Sequence, residues 1–280
     1  MARAIERIER DIAALKEAIR AIAVELQRAY ASYLNTLGSS VRKQLILASY
    51  HLCTQGYPEN FLHLSLNQRQ QLQQAIRKLG QEAAEQLLAC IKSQEAEVDK
   101  GDDEDDEDEA NKEVTSSELL DTSNFQPLSA ASNPIELAKW QQNLEEVTQE
   151  ILKKLSHDAN LLLQKSEVLP KKLPEPILAA AAAAASEASA EAMPGPPNLL
   201  NLVIEIENEQ QSEDSGLTQI MAINLRLGEI EFADVALSSE RRQIRNILVQ
   251  LNKLGREYQK KHREKAIAEA EAAWRASWFE

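Results

Sequence analysis

The stretch that decides the fold class runs from Ile5 to Tyr33 and reads IERIERDIAALKEAIRAIAVELQRAYASY. Its apolar residues alternate spacings of three and four, and Glu, Arg and Lys fill the other positions. Apolar residues with this spacing form one stripe along an α-helix, and about four such heptads are typical of a coiled-coil seam. The stripe consists of Ile5, Ile8, Ile12, Leu15, Ile19, Ile22, Leu26, Ala29 and Tyr33. The pattern predicts one long helix over residues 2–36 that packs through this face.

The composition of the 280 residues favours helices throughout. The chain has 3 Trp, 5 Tyr and 4 Phe, with 8 Gly and 9 Pro, so turn-formers and large aromatic residues are scarce. Sandwiches, barrels and doubly wound sheets need more of both. A hydrophobic content of 43% is too high for a wholly disordered chain. The fold class predicted from composition is therefore all-α.

The expected location is the cytoplasm. No apolar stretch approaches the roughly 18 to 20 residues that span a bilayer. The charged start, Met1 to Arg7, does not have the pattern of a secretory signal. Cys53 and Cys90 form no disulfide framework, and such sparse cysteine indicates a reducing compartment.

The net charge of −14 is unevenly distributed. Residues 1–92 hold 12 basic against 8 acidic residues, and residues 240–280 hold 10 against 6, so each end has a surplus of +4. Residues 93–239 hold 9 basic against 31 acidic residues, and eight of those acids are consecutive, from Asp102 to Glu109. Such a block repels itself and has nothing apolar to bury, which predicts a disordered tether.

Breakers and caps divide the chain into four predicted segments. These are an N-terminal helical bundle or coiled coil over 1–94, a disordered acidic linker over 95–132, a long helix with a Pro- and Ala-rich segment over 133–198, and a C-terminal helical module over 199–280. Within the first segment we expect Gly38 to end helix one, a second helix over 41–55, and a third over 66–94 that Ser65 and Gln68 cap.

The second half of the chain combines helical stripes with one segment that also fits a strand. Ser132 or Asn133 caps a helix from Pro134 to about 165. Residues 198–208 fit a short strand or a helix, and we favour a helix, because a lone strand needs a partner. A stripe from Leu217 to Ile230 predicts another helix. A bend over 232–236 then precedes a last helix over 240–276, with Ser238 or Ser239 as its cap.

Residue patterns that carry enzyme chemistry are missing from the sequence. His51 and His63 lie twelve apart, and no Cys-x-x-Cys or His-Glu-x-x-His spacing supports a zinc site. Cys53 and His51 are two apart, so on a helix they point about 200° from each other and cannot form a nucleophile–base pair. The glycines never cluster as in a phosphate-binding loop. We therefore predict no enzyme, no catalytic, cofactor or metal residue, and no bound cofactor.

The predicted function is a non-enzymatic scaffold or adaptor that acts through helix association with protein partners or with itself. Trp274 and Trp278 lie four apart and share one helix face. Two such rings either pack on the bundle or anchor on a partner protein or at a membrane surface. The predicted partner-binding residues are Ile5, Ile8, Ile12, Leu15, Ile19, Ile22, Leu26, Trp274 and Trp278.

The alternative function is regulatory nucleic-acid binding. Basic residues of the last helix would contact phosphates, with the acidic tract 102–109 as internal competitor. The candidates are Arg241, Arg242, Arg245, Arg256, Lys260, Lys261 and Arg263, joined by Lys253 and Lys265. Interleaved glutamates and the acidic chain favour a solvated coiled-coil face over this alternative.

Two stretches carry a resemblance to a known group of proteins. They are QLILASYHLCTQGYP, from Gln44 to Pro58, and AIAEAEAAWRASW, from Ala266 to Trp278. Together they resemble an uncharacterised family of predicted helical proteins from cyanobacteria. The resemblance implies a bacterial cytoplasmic or stromal-side location. It implies no activity, and no functional residue is carried over from it.

Overall fold

The computed structural model of the protein describes residues 2–95, 133–170, 196–206 and 216–278. These residues form helices and one small hairpin, which confirms the all-α class. The elements are α1 (Ala2–His51), a π-helical turn (Leu52–Gly56), α2 (Pro58–His63), α3 (Leu66–Glu95), α4 (Pro134–Lys165), β1 (Leu199–Ile206), β2 (Gly216–Ile223), α5 (Leu227–Ala233) and α6 (Val235–Ser277). The predicted acidic linker and the alanine run at 179–185 lie outside the described residues.

The chain divides into two compact units. The first unit comprises residues 1–33, 89–145 and 239–280, and the second comprises residues 34–88 and 146–238. Each unit therefore draws on stretches that are distant in sequence. The division into four consecutive segments stays a prediction.

In the first unit, α1 and α6 run antiparallel. The Lys265 ammonium lies 2.8 Å from a Glu9 carboxylate oxygen, and Lys261 lies 3.1 Å from Asp11. At the other end of the contact, the Ser32 hydroxyl donates to a carboxylate oxygen of Glu240 at 2.6 Å. The buried side chains of these helices include Ile12, Ile19, Ile22 and Leu26 of α1, Leu137, Trp140 and Leu144 of α4, and Ile244, Ile247 and Leu251 of α6.

In the second unit, Gly38 does not end a helix, so the predicted break after residue 36 is wrong. The helix α1 continues to His51. A Cβ atom at Gly38 would lie 3.0 Å from the Cβ of Ala84, so the missing side chain lets α3 approach closely. The neighbours Leu37 and Val41 are fully buried, and this packing supports the helix through the glycine. The separate helix predicted over 41–55 is therefore part of α1.

Other predicted helix ends are confirmed. The first long helix stops in the turn that ends at Gly56, immediately before Tyr57 and Pro58. At the start of α3, the Ser65 N–H donates to Gln68 Oε1 at 2.8 Å, and the Gln68 N–H donates to Ser65 Oγ at 3.3 Å. At the start of α4, Asn133 Oδ1 accepts from the N–H of Ile135 at 3.0 Å. Local side-chain caps therefore set these boundaries.

The sequence predicts helices over 198–208 and from 217 to 230. Both predictions are wrong where the structure has the strands β1 (Leu199–Ile206) and β2 (Gly216–Ile223). Strands β1 and β2 pair antiparallel, with Leu199 opposite Ile223 and Ile206 opposite Gly216. Side chains from two other parts of the chain, Tyr57 between the π-helical turn and α2 and Asn160 of α4, hydrogen-bond to the outer edge of β2. The Tyr57 hydroxyl accepts from the N–H of Met221 at 3.0 Å, and Asn160 Oδ1 accepts from the N–H of Ile223 at 2.9 Å. These partners satisfy an edge that would otherwise be open.

Asn198 fixes the start of the hairpin. It is fully buried, and its φ of 60° lies in the left-handed region, which Asn tolerates better than most residues. Its side chain donates to Gln44 Oε1 at 3.1 Å and accepts from the N–H of Arg226 at 3.0 Å. These bonds offset the cost of the unusual backbone conformation.

The last helix starts earlier than predicted, at Val235 instead of 240. Asp234 is the cap, because its Oδ1 accepts from the N–H of Ala236 at 3.0 Å. A hydrogen bond from Ser40 holds the pKa of Asp234 below its usual value, so the cap is ionised at neutral pH. Ser238 instead donates to the carbonyl of Glu231. The bend expected over 232–236 is confirmed at Asp234, between α5 and α6.

Candidate functional site

The outer face of α6 carries a continuous row of cations, which we name the basic stripe. At about 100° per residue, its members fall in an arc of about 80° opposite the buried Ile244, Ile247 and Leu251. All are exposed, and none has an ion pair or hydrogen bond with another residue that the structure describes. The basic stripe consists of Arg242, Arg245, Lys253, Arg256, Lys260 and Arg263. It extends over about 32 Å of helix.

Three other basic residues of α6 hold the first unit together. Lys261 and Lys265 pair with Asp11 and Glu9 of α1. Arg241 forms hydrogen bonds to both carboxylate oxygens of Glu145 on α4, and its guanidinium lies 4.5 Å from the centre of the Tyr33 ring. The sequence-predicted nucleic-acid residues therefore separate into two groups. Arg241 and Lys261 form ion pairs within the unit, and the other five are members of the stripe on its surface.

The Arg241–Glu145 pair belongs to a half-buried cluster. Burial alone raises the pKa of Glu145, but the hydrogen bonds and charge of Arg241 outweigh it, and the pKa lies below the usual value. The Tyr30 hydroxyl donates to Glu145 at 2.7 Å, while burial and then the nearby carboxylate raise the pKa of Tyr30. Trp140 packs edge-on against the Tyr30 ring, with centroids 5.4 Å apart. The cluster is therefore charged at neutral pH and stabilises the fold.

The far end of α6 exposes apolar side chains on the same side. Trp274 is 66% exposed and Trp278 is 64% exposed, and their ring centroids lie 5.6 Å apart. Ile267, which is 51% exposed, and Ala270 fall on the same arc. We name these four residues the tryptophan end. Of the two alternatives for the tryptophan pair, packing on the bundle does not occur among the described residues.

The seam of α1 faces its own chain. Ile12, Ile19, Ile22 and Leu26 are buried within the first unit. Ile5, Ile8 and Leu15 are half-buried along the same stripe. The coiled-coil pattern therefore packs inside this chain. The large apolar residues exposed on α6 are Val235, Val249, Ile267, Trp274 and Trp278.

The thiols and histidines lie apart from this surface. Cys53 and Cys90 are buried, and burial raises the pKa of Cys53 to about 11. Such a thiol is protonated at neutral pH and a poor nucleophile. Among the described residues, no three His, Cys, Asp or Glu side chains converge as a metal site would require. In the same part of the chain, no helix combines the length and apolarity of a membrane span.

Comparisons with known proteins found no relative: no family model, curated protein or solved structure matches this chain. The candidate site is therefore inferred from the positions and exposure of the described residues. Sequence reasoning identified the two tryptophans and most of the basic residues. It missed that six of the basic residues share one arc, although a helical projection of residues 242–263 contains that signal.

Proposed function

We propose that the protein is a non-enzymatic adaptor that inserts the tryptophan end of α6 into an apolar groove of a partner protein. The observation that carries the proposal is the exposure of two adjacent tryptophan rings on one helix face. Exposed apolar clusters mark interaction sites, and Trp is the residue most enriched among binding hot spots.

The spacing of the apolar residues fits a helix in a groove. Relative to Ile267, the others stand at i+3, i+7 and i+11. Helices that bind in grooves use anchors with this spacing, because those positions fall on one side of the helix. Two acidic residues lie between the anchors: Glu269, 3.6 Å from Lys265, and Glu271, which pairs with Arg275 at 3.4 Å. The anchors therefore form an apolar strip flanked by neutralised charges.

A partner groove explains the surface better than a second copy of the chain. A Trp side chain presents up to about 250 Å², so four rings at about two-thirds exposure supply roughly 650 Å² between two copies. Stable interfaces bury about 1,200 Å² or more. A groove that encloses the helix end adds its own walls to the buried area. We therefore infer a partner of different sequence.

The helix is ordered before it binds. Two residues before Ile267, the first anchor, Lys265 pairs with Glu9 of α1 and lies 3.6 Å from Glu269 of its own helix. Each exposed pair stabilises by at most about 1 kcal/mol, but together with the buried seam they fix the helix. A preformed helix does not lose backbone entropy on binding, so the exposed anchors contribute fully to affinity.

The test uses the full chain as bait in extract of the native organism, followed by reconstitution with the purified partner. Wild type is compared with W274A/W278A. The matched control is V249A, which removes another exposed apolar side chain of the outer face. We expect wild type and control to bind one partner at 1:1 stoichiometry in calorimetry. Because hot-spot residues contribute about 2 kcal/mol or more each, the double variant should bind at least about 100-fold more weakly.

Two results would refute the adaptor. One is equal affinity of the double variant for the reconstituted partner. The other is the absence of any protein that wild type retains and W274A/W278A releases.

A further inference from the structure

We propose that the basic stripe of α6 is an electrostatic docking surface for an anionic lipid bilayer. The proposal rests on residues 242–263 and does not depend on the tryptophan end. Helices that carry four to eight Lys or Arg on one face recognise anionic lipid headgroups, because each cation near the surface strengthens binding by about fivefold. The stripe has six, all exposed.

The charged residues of the arc are all basic. No acidic residue falls in the arc between Arg242 and Arg263. Glu257 and Glu264 stand at its edge, about 60° and 40° from Arg242. Glu264 is engaged by Lys261 at 3.1 Å, which itself faces α1. The stripe therefore presents a one-signed row of charge.

The shape of the stripe fits a flat surface. Its members lie within an arc of about 80° on one uninterrupted helix, so a plane can contact them together over about 32 Å. The phosphates of a nucleic-acid duplex instead wind around an axis, and a straight row meets only a few of them. Val249, 53% exposed, lies in the row between Arg245 and Lys253. An aliphatic side chain gains from a lipid interface and nothing from phosphates.

This face also lacks the aromatic residues that usually bind nucleic-acid bases. The arc from 242 to 263 contains no aromatic side chain on which a base of a single strand would stack. Single-stranded binding proteins combine such rings with their cations. The observations therefore favour a lipid surface over single-stranded nucleic acid.

The acidic net charge does not oppose this contact at close range. At physiological ionic strength the Debye length is about 8 Å, so acidic residues farther than that from the stripe are largely screened. Binding then depends on the local cations and weakens as salt rises. The rest of the chain, which carries −20 without the six cations of the stripe, acts as a long-range repulsion at low salt only.

The test is co-sedimentation of the full chain with vesicles. One set contains phosphatidylcholine alone, and the other contains roughly 30 mol per cent phosphatidylserine. The stripe variant is R256E/K260E/R263E. The control is R77E/K153E/K154E, which changes net charge equally at exposed residues outside the stripe. Circular dichroism verifies that both fold.

We expect wild type and control to bind the anionic vesicles and not the neutral ones. The stripe variant should bind at least about 100-fold more weakly, since three cations are lost at about fivefold each. W274A/W278A should still bind anionic vesicles in preference to neutral ones, so failure of the adaptor and failure of this surface are separable. Binding should fall sharply at about 0.5 M salt.

Three outcomes would overturn the proposal. These are equal binding by the stripe variant, equal binding to neutral vesicles, and tighter stripe-dependent binding to a single-stranded or duplex oligonucleotide than to anionic vesicles at the same salt.

Discussion

At the scale of single residues, Arg241 and Arg242 show what sequence cannot separate. Both are cations at the start of a basic helix. Adjacent positions point about 100° apart, so one enters the unit and the other faces water. Arg241 is 12% exposed at its side chain and bonds to Glu145, which is 20% exposed. The partner helix is set by packing between distant segments, which the local pattern does not encode.

We predict that R241M lowers the free energy of unfolding by about 2 to 4 kcal/mol, because it leaves the Glu145 carboxylate half-buried without its cation. The matched control is R242M, which removes an exposed, unpaired cation and should change stability by less than about 0.5 kcal/mol. Urea unfolding at neutral pH measures both. Equal stability of the two variants would show that the buried pair contributes nothing.

The same pair predicts a pH dependence. Since the pKa of Glu145 is lowered in the folded state, the unfolded chain binds its proton more tightly. The stabilisation is complete above the unfolded value of about 4.3 and is lost as pH falls through the lower folded pKa. The difference between wild type and R241M should therefore shrink from pH 5 towards about pH 3. A constant difference across this range would contradict the assignment.

At the scale of elements, the helices and caps that depend on neighbouring residues are predicted correctly from the sequence. The periodicity of α1, α3 and α4 and the caps at Ser65 and Asn133 are confirmed. The hairpin was missed because Leu217, Ile220 and Ile223 repeat every third residue, as a helix would. Its edge is completed by Tyr57 and Asn160, which no local pattern connects to it.

The packing around Gly38 predicts that G38A destabilises the protein, although the same substitution stabilises an open helix. In an open helix, G38A would stabilise by about 1 kcal/mol. Here the new Cβ would meet Ala84 at 3.0 Å, so we expect destabilisation by about 1 to 2 kcal/mol. In the A84G background the contact with the Ala84 Cβ is absent while the backbone Cα of residue 84 still lies 3.3 Å away, so the same substitution should destabilise less. A double-mutant cycle by urea unfolding measures this coupling, and additive effects would contradict the close approach.

Asn160 tests the edge of β2. Its side chain donates to the carbonyl of Ile223 and accepts from its N–H, both at 2.9 Å. N160A leaves two backbone groups without partners and should destabilise by about 2 to 3 kcal/mol. K153A, an exposed position of the same helix, is the control. The amide of Ile223 should also exchange faster in N160A, and unchanged exchange would argue against this role.

At the scale of the whole molecule, folding places part of the unevenly distributed charge on one exposed face of α6. Within residues 240–280, six cations form the basic stripe on the exposed side of α6. Arg241, Lys261 and Lys265 instead form ion pairs within the first unit. Composition predicts helices and argues against a large sheet, and the described residues contain only the two-stranded hairpin. Which helix face stays uncovered depends on tertiary packing, so the binding surfaces emerge only from the folded chain.

The central claim is that the tryptophan pair serves binding and not folding. The most direct test is the free energy of unfolding of W274A/W278A, measured by urea denaturation followed by circular dichroism. Exposed rings predict a change below about 0.5 kcal/mol from wild type. A loss of about 3 kcal/mol or more, typical of Trp removed from a core, would show that the rings pack within the fold and would contradict the adaptor account.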